Sequence, residues 1–125
     1  MKTLFAFALA AMAAVTAYAD STNVTPDEAE KLLKQNKQIV VLDVRTPEEF
    51  AQGHLAGAKN LDFHSDDFAK QLDALDKSKP YLVHCAAGGR SAKSMATFKK
   101  LNFQVIYHMD AGFNGWKEAG KPVEK

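Results

Sequence analysis

Apolar positions along this chain gather into short clusters separated by polar, glycine and proline residues, and the clusters alternate between strand-like and helix-like patterns. Ile39-Val40-Val41-Leu42-Asp43-Val44 is a nearly continuous β-branched run, which predicts a strand covered on both faces. Tyr81-Leu82-Val83-His84 and Val105-Ile106-Tyr107-His108 predict two more strands, and Lys59 to Asp62 a brief one. Between them lie helix signals. Thr25-Pro26-Asp27-Glu28 and Thr46-Pro47-Glu48-Glu49 each combine a hydroxyl cap, proline at the first helical position and glutamate three residues after the cap. The first predicts a helix to about Gln35, and the second a short helix that Gly53 ends. Ser65 predicts the cap of a helix through about Leu75, Ser91 to Lys100 a further helix, and Phe113 to Ala119 a last one stopped by Gly120 and Pro122. Strands and helices alternating in this order predict an α/β fold, a small parallel sheet flanked by helices on both faces.

The N-terminus follows a different pattern. Lys2, an apolar stretch from Leu4 to Val15 and the small-x-small triplet Ala17-Tyr18-Ala19 predict a secretory signal over residues 1–19, cleaved to leave one domain over 20–125. The apolar stretch is shorter than the roughly 18–20 residues needed to span a bilayer, so no stable membrane association is expected after cleavage. Export places the domain outside the cytoplasm, with the bacterial periplasm as the expected compartment. The chain carries 16 basic and 15 acidic residues, and loss of Lys2 balances them. That balance gives no basis for a nucleic-acid or membrane-surface partner.

One cysteine remains in a compartment where disulfides form, and alone it closes no intramolecular bridge. Such a thiol is either buried and inert or exposed and kept for its chemistry. Its surroundings favour chemistry. Cys85 ends an apolar strand and opens Ala86-Ala87-Gly88-Gly89-Arg90-Ser91, a short glycine-bearing loop at a helix entrance. Inward-pointing amides and a nearby guanidinium stabilise a thiolate, lowering its pKa below the free value of about 8.5. Open α/β sheets also collect ligands at strand carboxyl ends. A lone cysteine more commonly serves as a small core hydrophobe. Against that, the paired glycines let amides approach an anion without side-chain interference. The loop is not a P-loop, since GxxxxGK[ST] spacing is absent. His54, His64, His84 and His108 show no paired ligand spacing, and one cysteine builds no zinc cluster, so no metal and no cofactor is expected. His84 adjoins Cys85, but strand neighbours point to opposite faces, which aims it away from the sulfur.

Four segments together resemble a single-domain rhodanese of the thiosulfate sulfurtransferase family: Leu42-Asp43-Val44-Arg45 with Glu48-Glu49-Phe50, Gly53-His54-Leu55-Ala56-Gly57-Ala58, the Cys85–Ser91 loop, and Asp110-Ala111-Gly112-Phe113-Asn114-Gly115-Trp116. Ala56 departs from the proline common there, which bears on loop stiffness. The resemblance implies that Cys85 takes a sulfane sulfur from thiosulfate or a similar small anion, becomes a persulfide, and passes the sulfur to cyanide or a thiol, including a thiol on a protein acceptor. Arg90, Ala86, Ala87, Gly88, Gly89 and Ser91 would then bind the donor and the persulfide. A small pocket suits a persulfide that must be protected from stray thiols.

Several residues carry structural alternatives. Arg90 either meets the oxyanion of the donor or pairs with a helix or with Asp43. Asp43 and Arg45 are expected to form an ion pair that fixes neighbouring loops. Phe113 and Trp116 fall near one helix face and predict core, and Ser91 starts its helix from a place where it can bond the loop. Two other functions share the resemblance. Dual-specificity phosphatases of the cell cycle also use a cysteine loop ending in arginine, but place one residue more between the two than the four here, Ala86 to Gly89. Non-catalytic rhodanese-like binding modules commonly lack the cysteine that this chain keeps.

Overall fold

The computed structural model describes residues 21–125. The expected signal segment, residues 1–19, lies outside them. In chain order the elements are β1 (Thr22–Asn23), α1 (Pro26–Gln35), β2 (Val40–Asp43), α2 (Pro47–Gln52), β3 (Lys59–Asn60), α3 (Phe68–Asp73), β4 (Pro80–His84), α4 (Gly89–Lys100), β5 (Val105–His108) and α5 (Gly112–Glu118). The strands form one sheet in the order β1-β5-β4-β2-β3, and every neighbouring pair is parallel. Among the described residues, no helix is long and apolar enough to cross a membrane.

Strand alternation divides the core into two layers. Leu42 and Val44, Tyr81 and Val83, and Ile106 face one side, where they meet Phe68 and Leu72 of α3 and Phe98 of α4. Val41 and Leu82 face the other, against Ala29 of α1 and Phe113 and Trp116 of α5. Phe98 exposes 1 % of its surface, and its truncation to alanine would cost about 3–5 kcal/mol. Cys85 continues the Tyr81–Val83 alternation and belongs to the α4 layer. Its position is therefore set by strand pairing.

Both expected capping boxes are present, with Thr25 accepting from the Glu28 amide and Thr46 from that of Glu49. Two helix starts differ from expectation by two residues. The α3 helix starts at Phe68 with Asp67 before it, because the Ser65 hydroxyl bonds the Asp67 carboxylate instead of capping a helix. The α4 helix starts two residues early, at Gly89, so Arg90 and Ser91 stand in its first turn. The β1 strand was not anticipated. It is two polar residues held by pairing to Tyr107 and His108, and it carries no apolar signal of its own.

Candidate active site

Cys85 leaves β4 at its carboxyl end, and three elements then shape the loop around it. The α5 helix holds the carbonyls: the Phe113 amide donates to Cys85 O at 2.8 Å and the Asn114 amide to Ala86 O at 3.0 Å. Gly112 makes this approach feasible. It has φ 70°, and a Cβ there would collide with the Ala86 carbonyl. With both carbonyls turned toward α5, following amides are free to face the sulfur. Gly88 N donates to Cys85 Sγ at 3.1 Å, and the Ser91 hydroxyl lies 3.3 Å from the same sulfur. The chain reverses at Gly88, with φ 96°, where a Cβ would strike the Asp110 carbonyl.

The two glycines are unequal in consequence. Gly88 is required by backbone conformation and by Asp110, whereas Gly89 is helical and an added Cβ would meet nothing within 4 Å. Burial opposes ionisation of the Cys85 thiol, but hydrogen bonds from the Ser91 hydroxyl and from the amides of Ser91, Ala87 and Gly88 outweigh it and lower its pKa. Cys85 is nonetheless only 1 % exposed. Neither sequence alternative describes it. It is buried as an inert thiol would be, yet surrounded by the donors of a reactive one.

Arg90 stands in the first turn of α4, and its charge favours the thiolate from nearby. Its fork is engaged by Glu49, at 2.7 Å from Nη1 to Oε1 and 3.0 Å from Nη2 to Oε2. Glu49, not Asp43, is therefore its structural partner. Glu49 also accepts from the Thr46 amide at 3.0 Å, and the Arg90 fork together with Thr46 overcomes partial burial to hold its carboxyl down at about 2. Sequence reasoning assigned this glutamate only to the α2 cap. A bidentate partner across 41 residues leaves no local trace.

The expected Asp43–Arg45 pair is present. Arg45 Nη2 lies 2.7 Å from Asp43 Oδ2 and 2.7 Å from Gly53 O, and its guanidinium carbon is 4.1 Å from the Phe113 ring centre. The pair thus ties β2 to the α2–β3 loop and to α5. His84 aims away from the sulfur, as strand alternation requires, and supports the loop from behind. Its Nδ1 donates to Cys85 O at 2.9 Å, while burial lowers its pKa against the opposing pull of Asp43. Phe113 and Trp116 are core residues.

His108 lacks paired metal-ligand spacing in the sequence, and its observed neighbours are a serine and an asparagine. Its Nε2 lies 2.7 Å from Ser91 Oγ, and its Nδ1 is 3.1 Å from Asn23 Oδ1. Among the described residues, no group of three or more histidine, cysteine, aspartate or glutamate side chains is placed to hold a metal ion. A cleft of about 260 Å³ opens beside the loop, with Glu49, Gln52, Ala86, Asn114 and Lys117 on its walls.

A parallel α/β sheet carrying a cysteine loop at the end of a central strand defines the class, and sequence comparison defines the family. The rhodanese-like domain model matches residues 25–119, and the chain belongs to that family. It is 34 % identical over 94 residues to a thiosulfate sulfurtransferase GlpE of Pseudomonas aeruginosa (strain LESB58), spanning 75 % of this chain and 82 % of that one. A GlpE of the same description from Pseudomonas putida (strain F1) is 39 % identical over 102 residues, spanning 81 % and 88 %. Among solved structures, the polysulfide-sulfur transferase homodimer of Wolinella succinogenes superposes with a TM-score of 0.68 at 28 % identity, covering 97 % of this chain and 90 % of that one.

Proposed function

We propose that the protein is a sulfurtransferase that moves a sulfane sulfur from thiosulfate, or a similar small dianion, to cyanide or a thiol through a persulfide on Cys85. The observation that carries this reading is the convergence of Gly88 N and Ser91 Oγ on Sγ within 3.3 Å, with Arg90 close by. In the first half-reaction the thiolate attacks the outer sulfur of thiosulfate. A sulfur–sulfur bond to Cys85 forms, the bond to the sulfonate sulfur breaks, and sulfite leaves with that electron pair. In the second, cyanide or a thiolate attacks the outer sulfur of the persulfide, thiocyanate or a new persulfide departs, and the Cys85 thiolate returns. Each half-reaction conserves charge, and the enzyme alternates between two covalent states.

Donors around the loop serve both halves. Amides of Ala87, Gly88 and Ser91, raised into the ring by the Gly88 reversal, stabilise the anionic sulfur in the thiolate and are positioned for the persulfide that replaces it. Arg90 attracts the dianionic donor, exchanging part of its bidentate contact with Glu49 for the oxyanion. Ala86 and Gly89 leave the entrance without bulk. The four-residue gap from Cys85 to Arg90 makes a tighter ring than the phosphatase loop, which favours sulfur over a phosphate with three equatorial oxygens. Export by residues 1–19 belongs to the same proposal and places the reaction in the periplasm, with no lasting membrane attachment.

Mass spectrometry of the purified protein after thiosulfate treatment tests the reaction class. The expected result is a gain of one sulfur on Cys85 that cyanide removes, and its absence from a Cys85→Ser variant that remains folded. Cys85-dependent hydrolysis of an aryl phosphate with no sulfur gain would assign the phosphatase reaction instead. Neither activity would make the domain a binding module.

A further inference from the structure

His108 and Cys85 are brought to the same face of the sheet by register alone. In the β4–β5 pairing Val83 stands opposite His108, and Cys85 lies one alternation beyond Val83 on that face. Opposite His108 on its other side is Asn23 of the two-residue strand β1. The α4 helix packs over this row and lowers Ser91 between the imidazole and the sulfur. A continuous line of contacts results: Asn23 Oδ1 to His108 Nδ1 at 3.1 Å, His108 Nε2 to Ser91 Oγ at 2.7 Å, and Ser91 Oγ to Cys85 Sγ at 3.3 Å. Ser91 and His108 are both buried.

Asn23 decides the tautomer. Its carbonyl oxygen accepts from Nδ1–H, which leaves Nε2 of the neutral ring as a bare acceptor toward Ser91. The single Ser91 proton then has three acceptors in reach, His108 Nε2, Cys85 Sγ and the Gly88 carbonyl at 3.3 Å, of which the first two lie on the line. When the cysteine is a thiol, the Ser91 hydroxyl donates to Nε2 and receives from S–H. When it is a thiolate, both bonds reverse.

We propose that His108 receives the Cys85 proton through Ser91, as a two-bond relay that builds the resting thiolate. The thiol proton passes to Ser91 Oγ while the hydroxyl proton of Ser91 passes to His108 Nε2. No bond between heavy atoms changes, and a neutral thiol and imidazole become a thiolate and an imidazolium held on Asn23. Ser91 ends as a donor to the sulfur, so the proton transfer and the hydrogen bond that stabilises its product are one event. His108 touches no substrate and acts as a positioning residue.

The charged groups around the relay allow this. Burial lowers the His108 pKa and so opposes the imidazolium, while Asp110, just beyond β5, pulls the other way and favours it. Arg90 favours the thiolate from its own side, and burial disfavours the charged form of His84 on β4, the other imidazole that feels His108. Two independent consequences follow from the coupling of the two ionisations. The inference rests on Cys85 as the nucleophile but not on the identity of the sulfur donor.

The test reads the thiolate directly, so it stands whether or not thiosulfate is turned over. Rates of Cys85 alkylation by iodoacetamide are measured against pH for the wild type and His108→Gln, whose amide donates to Ser91 without titrating. Near about pH 6.5 the variant should react about tenfold more slowly, one unit of apparent thiol pKa, and reach the same plateau at high pH. Superimposable profiles, or a fall of equal size at every pH, would overturn the relay. A second arm needs no change at His108: its imidazole titration is followed by NMR in the wild type and in Cys85→Ser. Loss of the ionising sulfur should lower the His108 pKa by reciprocity, and an unmoved titration would sink the proposal even if His108→Gln failed to fold.

Discussion

Glu49 closes the cap of α2 with the same carboxylate that grips the Arg90 fork, so one side chain ties α2 to the first turn of α4 behind the Cys85 loop. Two roles for Arg90 then diverge at the level of single substitutions. For a guanidinium that meets the donor, Glu49→Gln removes a competing charge, and the KM for thiosulfate should stay level or fall. Arg90→Ala should raise that KM about ten- to a hundredfold, the loss of a charge-assisted hydrogen bond of about 1.5–3 kcal/mol. Equal increases in both variants, measured in steady state, would assign Arg90 to scaffolding. Stability separates the same pair by pH. Because the Glu49 carboxyl sits at about 2 in the fold and 4.5 is its ordinary value, its contribution is complete above about pH 4.5 and is lost as pH falls toward 2. The pair is partly solvated, so the contribution is about 1 kcal/mol at most. Urea midpoints at pH 6 should favour wild type over Glu49→Gln, and at pH 3 the difference should shrink. A constant difference would mean that packing, not charge, carries it.

At the scale of elements, the loop is a product of α5 as much as of its own residues. The first amides of α5 hold the carbonyls of Cys85 and Ala86, and Gly112 allows the approach. Gly112→Ala should cost more than about 2 kcal/mol, from the strain of φ 70° and a collision with the Ala86 carbonyl together. It should also raise the pH at which Cys85 alkylates, since the amides lose their aim. Gly88→Ala should behave likewise, whereas Gly89→Ala should be neutral or stabilise by up to about 1 kcal/mol, because a helical site in open space gains from reduced chain entropy. Chemical denaturation of the three variants checks the order, and a Gly89→Ala as damaging as Gly88→Ala would contradict it.

The sequence reads well where a local signal exists and poorly where partners are distant. Proline and hydroxyl caps announced α1 and α2, and short apolar runs announced β2, β4 and β5. The loop from Cys85 to Ser91 was legible as the link between β4 and α4 because its signals are local. Glu49 and His108 were not, because their roles depend on side chains that only strand register and helix packing bring near, and β1 had no apolar face to announce it. The adjacent glycines looked equivalent as letters and differ because only Gly88 lies in the left-handed region against Asp110.

Across the whole molecule, the cysteine sits where the α4 layer of the core meets the carboxyl edge of the sheet, while the opposite layer is closed by the C-terminal tail. Trp116 Nε1 donates to Pro122 O at 2.7 Å, the backbones of His54 and Glu124 exchange two bonds at 2.8 Å, and Val123 Cγ1 occupies the space that Gly53 leaves. Gly53 in turn offers its carbonyl to Arg45. The tail therefore touches the site's supports at one remove, through Gly53 and Arg45, while the carbonyls of Cys85 and Ala86 are held by Phe113, Asn114 and His84. Removing Lys121 to Lys125 strands the buried Trp116 N–H, a loss of about 1–3 kcal/mol. For a domain of this size, Tm should drop by about 4–8 °C per kcal/mol. At temperatures well below that transition, the alkylation profile of Cys85 should match the full chain, because the donors to its sulfur come from α4 and the loop. Calorimetry with the iodoacetamide profile on the truncated protein checks both halves. A thiolate that weakens along with Tm would show that the link from Gly53 through Arg45 to Phe113 carries strain into the loop, making tail and active site one cooperative unit rather than two.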